Sequence, residues 1–198
     1  MIDIAKAELA LEEAEKSNPG PWVDHSKYVA EACRLIAEEC EDLCADKAYF
    51  YGLLHDIGRY AGVSGEKHLL DGYRYCKERG WDKAAQICIS HAFMIQDIKT
   101  SIAELDVTPE EFSFLSDFIK NAKYDDYDRL VQLCDALATS TGFCILEKRF
   151  IDVAVRRGTK PSMAERWRKT FEIKEYFEKK IGKSIYKLLP DIEKCIYI

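Results

Sequence analysis

Apolar residues return every three or four positions from Ile4 into the C-terminal segment, and no stretch alternates apolar with polar residues as a half-buried strand would. In a helix this spacing gathers the apolar side chains into one stripe, and segments carrying such stripes bury them against one another. The chain is therefore predicted to be all-α, an irregular helical bundle. Its helices are expected at about 3–17, 24–42, 46–57, 66–79, 83–93, 110–121, 127–157 with a break near Gly142, 162–181 and 183–196. Glycine and proline supply the punctuation: Asn18-Pro19-Gly20-Pro21, the loop from Gly62 to Gly65, Gly80-Trp81-Asp82, Gly158-Thr159-Lys160-Pro161 and Leu189-Pro190-Asp191. Thr108-Pro109-Glu110-Glu111 reads as a helix start with proline at its first position. Residues 1–21 form an N-terminal helix and loop in this reading, 22–157 the core, and 158–198 a helical extension packed on the core and outside any site it holds.

The 198 residues are 47% hydrophobic, enough for one principal domain. With 29 basic against 35 acidic residues the formal net charge is -6, so no basic field recruits anionic lipid or a nucleic-acid duplex. The first segment carries Asp3, Glu8, Glu12, Glu13 and Glu15 among its apolar positions, unlike a signal or transit peptide, and no run is long enough to span a membrane. A cytoplasmic protein with no membrane partner is expected, and a homo-oligomer is compatible with the chain. Eight cysteines occur without a C-x-x-C pair and read as reduced core thiols; Cys40 and Cys44 alone make a poor zinc site.

Helical spacing places the candidate chemistry on inward faces. His25 aligns with Val29, Ala32 and Ile36, and His91 with Ala84, Ile87 and Cys88. Asp135 lies between Val131, Cys134 and Ala138, and Leu53-Leu54-His55-Asp56-Ile57-Gly58 sets adjacent His and Asp at the end of an apolar helix. Taken singly, an inward histidine is more often a hydrogen-bonded core residue and an inward aspartate a buried ion-pair partner. Taken together, all four histidines of the chain, His25, His55, His68 and His91, fall at inward or helix-end positions beside Asp56 and Asp135. Buried carboxylates need compensation, and neutral imidazole with carboxylate suits iron, manganese, zinc and related divalent ions. Six such ligands exceed one closed tetrahedral site and match two bridged metals with open positions.

The order His25, His55-Asp56, His68, His91, Asp135 resembles the HD-domain superfamily, and Leu53 to Gly58 is close to its name-giving motif; the likeness covers roughly residues 22–140. Membership implies an all-helical HD-type core in which His25, His55 and Asp135 bind a first ion, His68 and His91 a second, and Asp56 bridges them. The cofactors implied are two divalent transition-metal ions, iron or manganese foremost, with zinc, cobalt and nickel behind. Many members carry lysine three residues after the aspartate of the pair, where this chain has Arg59; its guanidinium either clamps a phosphate or pairs with Asp56. Lys67 and Lys99 are weaker candidates for that work, and Trp22, Tyr60 and Tyr73 either stack on a base or fill the core.

The resemblance implies a metal-dependent phosphohydrolase acting through metal-activated hydroxide on a small phosphorylated metabolite, foremost a nucleotide, with Asp56, Arg59 and Asp135 as catalytic residues. The ligand order also resembles the branch that hydrolyses symmetrical dinucleoside polyphosphates. Two alternatives stand beside it: a mixed-valence di-iron oxygenase of the same fold, and a non-catalytic helical signalling module.

Overall fold

The computed structural model describes residues 2–197, and among them nine α-helices carry the architecture. They are α1 (Ile4–Ser17), α2 (Trp22–Glu38), α3 (Ala45–Leu54), α4 (Lys67–Glu78), α5 (Asp82–Ser90), α6 (Pro109–Asn121), α7 (Asp126–Leu137), α8 (Leu146–Arg157) and α9 (Met163–Ile181). The all-α expectation holds, since the sole sheet of the described residues is a two-residue pairing of β1 (Ala138–Thr139) with β2 (Gly142–Phe143).

Local chemistry explains most boundaries. Asp3 caps α1 by accepting from the Lys6 amide, and Thr108 and Glu111 form a capping box over α6 with Pro109 in its first turn. Asp125 and Asp128 make a second box at the start of α7.

α2 and α3 form the most extensive helix pair. Their backbones nearly touch, because a Cβ on Gly52 would lie 2.7 Å from the Ala30 Cα. α7 and α5 close on α3 from other sides, and the main core runs through all of them, with Val29, Ile36, Leu54, Ile87, Val131 and Leu137 fully buried. Ile173 and Phe177 of α9 and Ile185, Leu189 and Ile192 beyond it join the same core. A second cluster gathers Leu69, Leu70, Ile89, Phe93, Leu115 and Ile119 where α4, α5 and α6 meet.

Several boundaries differ from expectation, among them α2, which ends at Glu38 where the sequence predicts a helix to about residue 42. The helix expected to reach residue 57 stops at Leu54, and a 3₁₀ turn covers Ile57–Ala61; Gly58 packs backbone to backbone against α4, an approach that a continuing helix could not make. The helix expected to reach residue 93 stops at Ser90, whose hydroxyl donates to Asp128 at 2.6 Å while Phe93 turns into the second core. The segment expected as 127–157 breaks as expected around Gly142: α7 ends at Leu137, α8 begins at Leu146, and the β1–β2 pairing between them reverses the chain with Gly142 at φ 146. The last expected helix is two 3₁₀ turns, Ile185–Lys187 and Ile192–Ile196, parted where Pro190 lacks an amide proton and Asp191 adopts φ 60. No helix of the described residues is long and apolar enough to cross a membrane.

Candidate metal centre

Five elements bring the six ligand candidates together. His25 sits in the first turns of α2, His55 and Asp56 just beyond the end of α3, His68 at the start of α4, His91 just beyond the end of α5, and Asp135 in α7. His55, Asp56, His68 and His91 are all at most 4% exposed. The imidazoles form a connected file: ring centroids are 5.3 Å apart for His25 and His55, 4.9 Å for His55 and His91, and 6.0 Å for His68 and His91.

Backbone carbonyls fix three of the four tautomers. His55 Nδ1 lies 2.7 Å from the Gly52 carbonyl, His68 Nδ1 2.6 Å from that of Gly65 and His91 Nδ1 3.1 Å from that of Ile87. A carbonyl only accepts, so each Nδ1 carries the proton and each Nε2 presents a lone pair. These lone pairs face carboxylate oxygens. Asp56 Oδ1 is 3.2 Å from His68 Nε2 and 3.6 Å from His91 Nε2, and His55 Nε2 is 3.9 Å from both Asp56 Oδ2 and Asp135 Oδ1. His25 differs, with its Nε2 bonded to Asp135 Oδ1 at 2.9 Å.

The charge states make this an assembly of acceptors. Burial pushes His91 down to about 3, with His55 acting in the same direction, and burial likewise lowers His55, so both are neutral at physiological pH. Burial opposes the charge of Asp56, but the Arg59 guanidinium together with His55 and His68 outweighs it, and the carboxyl stays well below its usual range. Burial opposes Asp135 too, yet the hydrogen bond and charge of His25 hold it low. Two buried atoms, His55 Nε2 and Asp56 Oδ1, have no hydrogen-bond partner at all. Leaving such atoms unpaired costs about 1–3 kcal/mol each, and a cation seated between them would remove that cost. Two groups have donor atoms close enough to share an ion: His25, His55 and Asp135, and His55, Asp56 and His91. His68 stands outside both, and its Nε2 lies 3.3 Å from Arg59 Nη2, which donates to it.

The centre opens into a cavity of about 660 Å³, the size of small-molecule sites. Arg59 and Trp22 line it. Lys67 and Lys99 do not; Lys67 pairs with Glu111 at 2.5 Å. Tyr60 packs on Tyr75, and Tyr73 packs on Phe114 and Phe118, so both serve packing away from the cavity.

Two features were missing from the sequence reading. The extension 158–198 is expected outside the site, yet Arg166 of α9 lines the cavity wall, beside Arg149, Arg156 and Arg157 of α8, which carry no role in the sequence reading. The signal was present as an arginine-rich run, but its amphipathic pattern matched a solvated cover equally well. Asp128 is the other: fully buried, it accepts from Ser90, Gln86 and Lys83, and so anchors the end of α5 that delivers His91.

Comparison with curated proteins and with solved structures returns no match. A family model described as HD domain matches residues 22–140, more than half of the sequence and the span holding all six ligand candidates, and the chain therefore belongs to the HD-domain family.

Proposed function

We propose that this chain is a metal-dependent hydrolase of phosphate esters or anhydrides in a small phosphorylated metabolite, with nucleotides as the preferred class. The observation that supports it most is the confrontation of acceptors at the centre. His91 Nε2 faces Asp56 Oδ1 at 3.6 Å with no proton to share, and His55 Nε2 is unpaired in a buried position. In this reading His25, His55 and Asp135 would hold a first divalent ion, and His68 and His91 with Asp56 would hold a second. Such ions supply Lewis acidity toward a phosphoryl oxygen and lower the pKa of water.

The side chains divide the remaining work. Arg59 helps keep Asp56 ionised through Nε at 2.6 Å and lines the cavity, where the N–H groups not engaged by Asp56 and His68 can grip a phosphate oxygen. Asp135, 28% exposed at its side chain, is the carboxylate best placed to exchange a proton with the cavity. Trp22, fixed by its indole N–H donating to the Asn18 carbonyl at 2.9 Å, offers an aromatic edge for a base.

The test is elemental analysis of the purified protein, followed by a phosphate-release screen over nucleotides with iron, manganese, cobalt and zinc, with oxygen uptake recorded in parallel. Stoichiometric metal and phosphate release without oxygen consumption are expected. A metal-replete protein that releases no phosphate from any nucleotide, or that consumes oxygen, overturns the reading.

A further inference from the structure

Arg166 is a cation in an unusual position. It is 7% exposed and lies in the wall of the cavity that holds the metal centre. Its Nη1 donates to the Ala92 carbonyl at 2.9 Å and the Thr100 carbonyl at 3.1 Å. Among the described residues no carboxylate lies within ion-pairing distance of it. Burial lowers its pKa, with Glu66 and Asp135 opposing from a distance, but a guanidinium stays charged throughout the physiological range. A buried charge held only by two neutral carbonyls is costly unless something negative joins it. The two carbonyls also fix the side chain, so its remaining N–H groups are oriented before any ligand arrives.

The neighbouring wall has the same sign. On α8, Asp152 accepts from Arg156 at 2.7 Å and lies 3.6 Å from Arg149, so one carboxylate serves two guanidinium groups. Arg157 lines the cavity with no ion pair among the described residues. All these arginines lie beyond residue 140, where the match to the family model ends.

We propose that Arg166, assisted by Arg157, is an oxyanion receptor that binds a phosphate group of the substrate from the wall of the cavity that α8 and α9 supply. This rests on the phosphohydrolase reading and deepens it: α8 and α9, which complete the core, also set which phosphorylated compounds are accepted. Both anions can engage one guanidinium through two oxygens, but phosphate carries more charge near neutral pH and keeps further oxygens for Arg157, so phosphate is preferred over acetate.

The experiment is calorimetric titration of the full chain with inorganic phosphate and with acetate, in both metal-free and manganese-loaded forms. It is run on the wild type, Arg166→Gln and Arg157→Glu. In the metal-free form Arg166→Gln is expected to weaken phosphate binding by about tenfold or more, the size of a lost charged hydrogen bond. Arg157→Glu should weaken it by about threefold or more, since an exposed charge acts through a screened field. Manganese stoichiometry should be unchanged in both variants. Phosphate affinity equal to wild type in Arg166→Gln, or in Arg157→Glu should the first variant not fold, overturns the receptor. Failure of the hydrolase reading looks different: phosphate binds through the arginines, but no phosphorylated compound is turned over with any metal.

Discussion

Arg59 Nε donates to Asp56 Oδ2 at 2.6 Å while Asp56 Oδ1 accepts no hydrogen bond, so the two oxygens of one carboxylate have separate duties. One is paired with a guanidinium and the other has no donor among the described residues, which leaves it able to take a cation. Truncating Arg59 strands a buried carboxylate in the metal-free chain. Arg59→Ala should cost the metal-free protein stability toward the lower end of the roughly 3–5 kcal/mol seen when a buried pair is broken, and markedly less once manganese is bound. Denaturant unfolding with and without the metal checks this; equal losses in the two states would show that no ion takes over the partnership.

The second prediction separates a two-ion from a one-ion centre. His68 and His91 come from different helices and face the same Asp56 oxygen. Replacing both with alanine should lower bound metal from about two ions to about one, because the ligands on the His25 side remain. Turnover should fall far more than thermal stability, since the apolar helices carry the core. A variant that still binds two ions would remove these histidines from the ligand set.

Gly58 gives a packing prediction. A Cβ there would stand 1.9 Å from the His68 carbonyl oxygen and 2.3 Å from the Gly72 amide nitrogen, and backbone atoms cannot step aside as a rotamer can. Gly58→Ala should cost about 3 kcal/mol or more by overpacking, and should displace α4 together with His68. Unfolding measurements combined with metal analysis test both effects; a fully stable variant with intact metal content would contradict the close approach.

A pH prediction follows from Glu111, which docks α6 onto α4. The hydrogen bond from Lys67, then those from the Thr108 amide and Arg74, pull its carboxyl down to about 2 from the ordinary 4.5. A carboxyl lowered in the folded state contributes stability above its unfolded pKa, and that contribution is lost as pH falls from about 4.5 toward about 2. Glu111→Gln should therefore be less stable than the parent at neutral pH, and the gap should close across that window. A gap that is constant with pH would assign the effect to packing.

The helices and the inward placement of the candidate residues were legible because both rest on periodicity: an inward position four residues from another apolar one stays inward in any bundle. His25 and Asp135 sit inside α2 and α7 and were placed by that rule alone. His55 and His91 were expected within helices and lie just past their ends, because helix termination here depends on long-range contacts, Gly58 against α4 and Ser90 against Asp128. No local sequence signal carries those contacts. Arg166 is not legible in the sequence for a related reason: its amphipathic helix is compatible with a solvated face until the fold shows that a cavity lies beneath it.

His55 and His91 each follow the last residue of a helix and are tied by Nδ1 to a carbonyl of its final turn. An inserted residue turns everything after it by about 100° around the helix axis. One extra alanine in α3 or α5 would swing the imidazole off the centre even if every apolar contact were recovered. Length in these two helices is thus a stricter requirement than composition: their buried residues can be exchanged for others of similar volume, but their residue count cannot drift.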